Sequence, residues 1–189
     1  GNDTIKSVTI PYRVLEVQKH AFYNCTNLEK VIFEKGPDGD ICDIIRQYAF
    51  SGCTSLTDIN LDHVMIIGEE AFSNCTSLVN VDFKKIYALG KRAFANCDKI
   101  EYVDITTLRN LGPEVFVNCT NLKSFKSGEF TNFSTGMFKN TGVEKVELYY
   151  NRIADDLFMN CDSLTEVIFH NDVIYVGNNS FRYCDKLAS

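Results

Sequence analysis

The chain has 189 residues, of which 45% are hydrophobic and 23% charged, a composition typical of a folded protein that buries a substantial core. No apolar run approaches the roughly 18 residues of a transmembrane helix, which excludes membrane insertion of this segment. The net charge of -6 argues against nucleic acid as a partner, because neutralising phosphates requires clustered lysine and arginine.

A short motif recurs along the whole chain. Its first complete copy is Ala21-Phe22-Tyr23-Asn24-Cys25, and it returns around Phe72 and Phe94. Looser copies are centred on Phe50, Phe116, Phe138, Phe158 and Phe181. Successive phenylalanines lie 28, 22, 22, 22, 22, 20 and 23 residues apart, which indicates a tandem repeat of roughly 22 residues.

Further apolar residues stand at fixed distances from each phenylalanine. Cysteine follows after three residues, leucine or isoleucine after six, and two more apolar residues after nine and eleven, as in Cys75, Leu78, Val81 and Phe83. The last two are two residues apart, which predicts a short strand with one buried face. The spacing of three between phenylalanine and cysteine favours one helical or 3₁₀ turn, and a glycine four residues before the phenylalanine marks a bend.

The sequence therefore predicts an α/β solenoid. We expect a right-handed superhelix of about eight repeats, with a curved parallel β-sheet on one side and short helical or 3₁₀ turns opposite. Ile5, Val8 and Ile10 form the strand half of an earlier repeat. The chain opens with Gly1 rather than Met and ends in mid-repeat at Leu187, so we expect a single domain over 1–189 that is a fragment of a longer protein.

Two places break the period. The interval from Phe22 to Phe50 is six residues too long, and the extra residues predict a protruding loop near 35–44. Asp38, Asp40 and Asp43 leave a calcium site open as an alternative to a plain surface loop, although their spacing does not complete an EF-hand. The second irregularity covers 124–158, where Ser127 replaces a buried apolar residue; it is either a neutral change or a bend at a site.

The cysteines and asparagines of the motif have structural explanations. All eight cysteines fall in apolar positions, which favours small buried side chains with free thiols. Disulfides between neighbouring repeats and a metal site remain as alternatives, and both fit the spacing less well. The recurring asparagines are expected to form a buried ladder that satisfies backbone groups. Asn24, Asn74 and Asn118 match the glycosylation pattern, but a packed repeat would exclude it.

No arrangement of residues points to catalysis or to a cofactor. The three histidines, His20, His63 and His170, occupy unrelated positions of the repeat, and we expect each of them to be solvated. Phosphate-binding loops, nucleophile elbows and zinc-protease motifs do not occur in the sequence. We therefore predict that the protein is not an enzyme and binds no cofactor or metal.

The neighbours of the buried strand residues should point out of the exposed sheet face. Aspartates in the middle repeats predict an acidic patch, lysines follow it, and the tyrosines and isoleucines could anchor a ligand. The alternative is a merely solvated face. The predicted binding face comprises Lys30, Ile32, Asp58, Asn60, Asn80, Asp82, Tyr102, Asp104, Lys126, Lys145, Glu147, Tyr149, Glu166 and Ile168.

The pattern Ile-Gly-x-x-Ala-Phe-x-Asn-Cys-x-x-Leu-x-x-Val-x-Phe, as in Ile67 to Phe83, resembles the BspA-type leucine-rich repeat. The resemblance covers the chain from about Ile5 to Leu187. It implies a cell-surface or secreted protein, mostly of host-associated bacteria, that adheres to host matrix or to another cell surface through protein binding. A structural spacer that presents another domain is the second hypothesis. An enzyme is the third, and it would require a pocket that the sequence does not reveal.

Overall fold

The repeated motif folds into a parallel β-solenoid. The computed structural model describes residues 1–37, 42–129 and 132–188. Within them the chain makes about seven turns, so the expected eight repeats are not confirmed. The reason is that eight copies of the motif enclose only seven complete turns between the first and last strands of the same face. No helix in these ranges is long and apolar enough to cross a membrane.

Every described strand is short, and most turns of the solenoid contribute one strand to each of two parallel faces. The described strands are β1 (Ser7–Ile10), β2 (Glu16–Val17), β3 (Lys30–Phe33), β4 (Ile44–Ile45), β5 (Asp58–Ile59), β6 (Ile66–Ile67), β7 (Ala88–Leu89), β8 (Tyr102–Asp104), β9 (Asn110–Leu111), β10 (Ser124–Lys126), β11 (Lys145–Leu148), β12 (Arg152–Ile153), β13 (Glu166–Phe169) and β14 (Tyr175–Val176).

The strands predicted from the apolar spacing form what we call the front sheet. It consists of three ladders that follow one another along the solenoid: β1-β3-β5, β8-β10 and β11-β13. Burial alternates along these strands, as in β11, where Val146 and Leu148 are buried while Lys145 and Glu147 are exposed. This alternation confirms the predicted strand with one buried face.

A second sheet was not predicted. We call it the side sheet, and it contains β2-β4-β6-β7-β9 and, further along, β12-β14. Its inward residues, such as Val17, Ile45 and Ile67, are the apolar residues five positions before each phenylalanine. Only two residues pair per strand, so their pattern is too short to show the alternation by which a strand is recognised.

The third side of each turn contains consecutive β-turns, and the expected helical or 3₁₀ turns are not confirmed in the described residues. Every second N–H bonds to the next turn of the solenoid, as from Phe22 to the carbonyl oxygen of Ala49 at 2.7 Å. The intervening N–H groups bond three residues back, as from Cys25 to Phe22 at 3.1 Å. A helix would keep all of these bonds within one segment, so the α/β description is not confirmed either.

Positive φ angles explain why the turns do not become helical. In each turn the residues two before and two after the phenylalanine have positive φ, as at Arg92 (53°) and Asn96 (60°). Such residues interrupt a right-handed helix and suit the third position of a type II turn. The glycines four before the phenylalanine serve close approach rather than bending: a Cβ on Gly90 would lie 2.4 Å from the backbone nitrogen of Glu69.

The core is one continuous stack of phenylalanine rings. Centroids of successive rings lie 5.1 Å apart for Phe22 and Phe50 and 5.2 Å for Phe72 and Phe94, with the ring planes nearly parallel. The series continues through Phe116, Phe138 and Phe158 to Phe181 at spacings of 5.7 to 5.9 Å. The predicted ladder of identical side chains is therefore confirmed, and no turn buries its own phenylalanine alone.

Candidate binding surface

Twelve of the fourteen residues of the predicted binding face lie in a strand of the front sheet or directly after one, and the exceptions are Asn80 and Asp82. The fourteen side chains are exposed, apart from those of Asp104 and Tyr149, which are half-buried. Asn80 and Asp82 lie between β6 and β7 in the chain, where the front side of the turn forms no strand, so the front ladder is interrupted between β5 and β8. Tyr102 is the most exposed aromatic residue of this set, with 51% of its surface accessible.

Ion pairs neutralise most of the charges that the sequence placed on this face. Asp58 pairs with Lys30 on the adjacent strand at 2.8 Å, and Asp82 pairs with Lys84 at 3.0 Å. Asp104 accepts hydrogen bonds from the backbone N–H and the hydroxyl of Thr106 at 3.1 and 2.7 Å. The predicted acidic patch is therefore mixed in charge. Such exposed pairs contribute little stability, but they weaken the attraction of the face for a cationic ligand.

A cluster of polar and aromatic side chains ends the face beside β11 and β13. The carboxylate of Glu147 accepts hydrogen bonds from Tyr149 Oη at 3.1 Å and interacts with His170 Nε2 at 2.9 Å. The His170 ring stacks on Tyr149 with centroids 4.2 Å apart. The hydrogen bonds to His170 and Tyr149 lower the pKa of Glu147, and the bond to that carboxylate raises the pKa of Tyr149.

The prediction that all three histidines are solvated is wrong for His63, whereas His20 and His170 are exposed, and His170 also has side-chain partners. His170 is held by Tyr149 and Glu147, because the strand β13 brings it across from the preceding turn. The Nε2 atom of His63 is buried without a hydrogen-bond partner in the described residues. His20 is exposed and stacks on Tyr48 at 5.2 Å. These three histidines lie on separate turns.

The buried cysteines form a ladder of thiols that all lie free in the structure. Six of them donate a hydrogen bond to the carbonyl oxygen of the phenylalanine in the preceding turn, at 3.1 to 3.2 Å. Burial raises the pKa of Cys53 and Cys119 to about 12 and that of Cys161 to about 11. These thiols are therefore protonated at neutral pH and poor nucleophiles.

The asparagines form a ladder, but it is less buried than expected. The side-chain amide of Asn96 donates to Asn74 at 2.8 Å, that of Asn118 to Asn96 at 2.8 Å, and that of Asn140 to Asn118 at 2.6 Å. The side chains thus bond to each other rather than to backbone groups. Asn24 and Asn74 are exposed and Asn118 is half-buried, so burial does not exclude glycosylation as the sequence suggested.

Two further features bear on the prediction of sites. Apolar side chains that were not predicted are exposed in or directly before the side-sheet strands, among them Met65, Ile66 and Tyr87, six or seven positions before the phenylalanine. In the loop near 35–44, residues 38–41 lie outside the described residues, so the calcium hypothesis for Asp38 and Asp40 has no structural test; Asp43 is exposed.

Comparison with known proteins agrees with the repeat pattern. A family model described as BspA type leucine rich repeat region, in 6 copies, matches residues 1–38, 43–151 and 151–189. No catalytic family is indicated. No curated protein gives a significant sequence match.

Solved structures of two bacterial proteins have a similar fold. A leucine-rich repeat protein of T. pallidum (TpLRR) is 24% identical with a TM-score of 0.69, over 98% of this chain and 79% of that chain. The pneumococcal vaccine antigen PcpA is 22% identical with a TM-score of 0.73, over 97% of this chain and 50% of that chain. At these identities the likeness concerns the fold alone.

Proposed function

This chain belongs to the BspA-type leucine-rich repeat family, and from that premise we propose that it is a non-catalytic protein-binding module of a cell-surface or secreted protein. The ligand is held on the outer side of the front sheet and is a protein of the host matrix or of another cell surface. A repeat solenoid suits this role, because it presents a long, regular surface that a protein partner can contact at many points.

The observation that carries this proposal is the composition of the front face. Exposed apolar side chains, namely Ile32, Tyr102 and Ile168, stand among charged residues that are already paired with each other. An aromatic anchor within a polar surround is typical of residues that dominate binding energy in protein interfaces. A spacer would need no such anchors, so the exposed Tyr102 favours binding over that alternative.

The chemistry of the cysteines is compatible with an extracellular or cell-surface location. Oxidising compartments convert accessible thiols into disulfides, but these thiols are buried and their raised pKa values keep them protonated. They can therefore persist outside the cell. The likeness to a protein described as a pneumococcal vaccine antigen supports the same location.

The proposal is tested by surface plasmon resonance of the chain against a panel of purified extracellular matrix proteins. We expect Tyr102→Ala to weaken binding to the recognised protein at least about tenfold, as expected for a central aromatic anchor. Tyr87→Ala is the matched control, because Tyr87 is exposed to a similar degree (46% against 51%) but directly precedes the side-sheet strand β7. Equal loss in both variants, or no binding to any protein of the panel, would count against the proposal.

A further inference from the structure

A pocket of about 380 Å³ opens in the front face between β10 and β11. Phe125, Val146 and Ile168 contribute apolar surface, and Ser127, Lys126 and Tyr149 contribute polar groups. Phe125 belongs to an aromatic cluster, since its ring stacks on Phe138 at 4.2 Å and meets the edge of Phe133 at 5.9 Å. The pocket is therefore lined by both apolar and polar side chains, a combination that is common in ligand pockets.

The pocket lies where the front sheet is split. β10 pairs with β8 and β11 pairs with β13, but within the described residues no ladder joins β10 to β11. The repeat at this point is shortened, with Phe138 only 20 residues before Phe158. The backbone N–H of Glu144 still bonds to the carbonyl oxygen of Lys123 at 3.0 Å, as that of Lys123 does to Glu101, so the two turns are aligned where β10 and β11 begin. The ladder is lost further along these strands, and the pocket lies there.

Ser127 is a polar residue at a repeat position that holds a buried apolar residue in the neighbouring turns. The equivalent residues are Ile105 in the preceding turn and Leu148 in the following one, and both are completely buried. Ser127 is only 9% exposed, and its hydroxyl oxygen has no hydrogen-bond partner among the described residues. An unpaired buried hydroxyl destabilises the folded chain. A residue that departs from a local rule without compensation is a mark of a functional site.

Some charged side chains at the edge of the pocket form ion pairs and others do not. Lys145 pairs with Glu166 at 2.9 Å, and Glu147 pairs with His170 at 2.9 Å. Lys126 takes part in none of the ion pairs of the described residues, although it stands opposite Asp104 in the ladder. Of the two lysines that line the pocket, Lys126 is therefore the one without an ion pair in the described residues, and its ammonium group can pair with a carboxylate of a partner.

We propose that this pocket holds an aromatic side chain of a protein partner, with an adjacent acidic residue of the partner paired to Lys126. The aromatic ring packs on Phe125 in the edge-to-face or offset manner that such rings prefer, and a backbone group of the partner pairs with the Ser127 hydroxyl. This inference rests on the proposed function, since it assigns a recognition subsite within the same front face.

The test is a titration of the full chain by ¹H–¹⁵N NMR with three capped dipeptides. The probe is N-acetyl-phenylalanyl-aspartyl amide; the alanyl-aspartyl and phenylalanyl-lysyl analogues are its comparisons. We expect saturable shifts at Ser127, Val146 and Ile168 with the first probe, and at least about threefold weaker binding of either analogue, because each lacks one of the two contacts. Equal binding of the alanyl analogue, or tighter binding of the lysyl analogue, overturns the proposal.

Variants of the pocket locate the binding. Ser127→Leu restores the residue type of the ladder and fills the pocket, so we expect unchanged or higher thermal stability and at least about tenfold weaker binding. Ser127→Ala removes only the hydroxyl and should weaken binding about threefold. Lys126→Ala should weaken the aspartyl probe but not the lysyl one, while Lys99→Ala, on an exposed turn, leaves both unchanged. Wild-type affinity in Ser127→Leu or Ser127→Ala overturns the inference.

The outcome is separable from that of the proposed function. If Tyr102→Ala abolishes binding to a matrix protein while no dipeptide binds, the front face is a binding surface and the pocket assignment falls. If the aspartyl probe binds and Ser127→Leu abolishes that binding, the pocket stands, whatever the matrix panel shows.

Discussion

At the scale of single residues, the cysteine of each repeat has a second task besides filling a small space. Its thiol donates a hydrogen bond to the carbonyl oxygen of the phenylalanine in the preceding turn, as from Cys97 to Phe72. The same oxygen also accepts a hydrogen bond from the backbone N–H of Cys75, the cysteine in the turn of Phe72. Thr141 occupies the same position in its repeat and donates its hydroxyl to Phe138 at 2.8 Å. Thr141 bonds within its own turn, whereas the cysteines bond to the preceding turn, and both residue types are small side chains that can donate a hydrogen bond.

The raised thiol pKa values predict a loss of stability at alkaline pH. A thiol whose pKa rises from 9.0 in the unfolded chain to about 12 in the folded one, as for Cys119, stabilises fully below pH 9. That contribution is lost as pH rises from 9 towards 12, because only the unfolded chain releases the proton. For one such thiol we expect a loss of about 2 kcal/mol at about pH 10.5.

Urea denaturation under reducing conditions at pH 7 and at about pH 10.5 measures this loss. Tyrosines and lysines also titrate in this range, so the informative quantity is the difference between the wild-type chain and Cys119→Thr, which places at this position the residue that Thr141 already provides in another turn. The variant should lose less stability than the wild type on going to alkaline pH. An identical decline in both chains would show that the buried thiols are not responsible.

At the scale of the elements, the turn around each phenylalanine depends on a residue that tolerates positive φ. Asparagine fills the position two after the phenylalanine in most turns, and Gly52 fills it in one, with φ of 76°. Both residue types adopt this conformation at little cost. The asparagines add the hydrogen-bonded ladder along the surface, so backbone conformation and side-chain pairing select the same residue.

Two substitutions at Asn118 separate these contributions. Asn118→Ala loses the hydrogen bonds to Asn96 and Asn140 and places alanine at a φ of 61°, so we expect destabilisation of about 1–3 kcal/mol. Asn118→Gly loses the same bonds but keeps a favourable backbone, and it should cost less. The free energy of unfolding in urea measures both. If the two variants are equally stable, positive φ does not decide the choice of residue.

At the scale of the whole molecule, stability comes from contacts between turns. Each central phenylalanine stacks between the rings of the preceding and following turns, and hydrogen bonds of alternate N–H groups also run from turn to turn. No turn therefore has a core of its own, and damage to one ladder position weakens both neighbours.

Phe94→Ala tests this continuity. Phe94 is completely buried and stacks on Phe72 and Phe116, so we expect the cavity to cost about 3–5 kcal/mol. Phe181→Ala is the matched comparison, since Phe181 is half-buried and stacks only on Phe158 among the described rings, and its loss should be distinctly smaller. Thermal and urea denaturation measure both. Wild-type stability in Phe94→Ala would contradict a shared core.

The irregular repeats between 124 and 158 show which features can be predicted from the sequence and which depend on contacts between turns. Ser127 was recognisable from the sequence as an exception to the ladder, because its position is defined by the period. That this exception coincides with a split in the front sheet and with a pocket depends on the register between β10 and β11. Register across a shortened repeat is a property of two turns together and is not encoded at either one.

For the charged residues of the front face, the sequence likewise predicts the outward positions but not the ion pairs. The outward positions of Lys30, Asp58 and Asp82 follow from the two-residue period of a strand. The ion pair of Lys30 with Asp58 depends on which residue of the next turn stands opposite, whereas Asp82 pairs with Lys84 within its own turn. The predicted acidic patch ignored that pairing, because residues 28 positions apart in the sequence become direct neighbours only when the loop of the long repeat is accommodated.

The order of residues alone determined the repeat, its buried ladders and the outward face, because each follows from a fixed spacing and a single alternation within one turn. The tertiary structure alone decided that the turns are not helical, that a second sheet of two-residue strands exists, and where the pocket and the ion pairs lie. These features arise from hydrogen bonds and contacts between turns, whose geometry depends on the positive φ angles and on the register of neighbouring repeats.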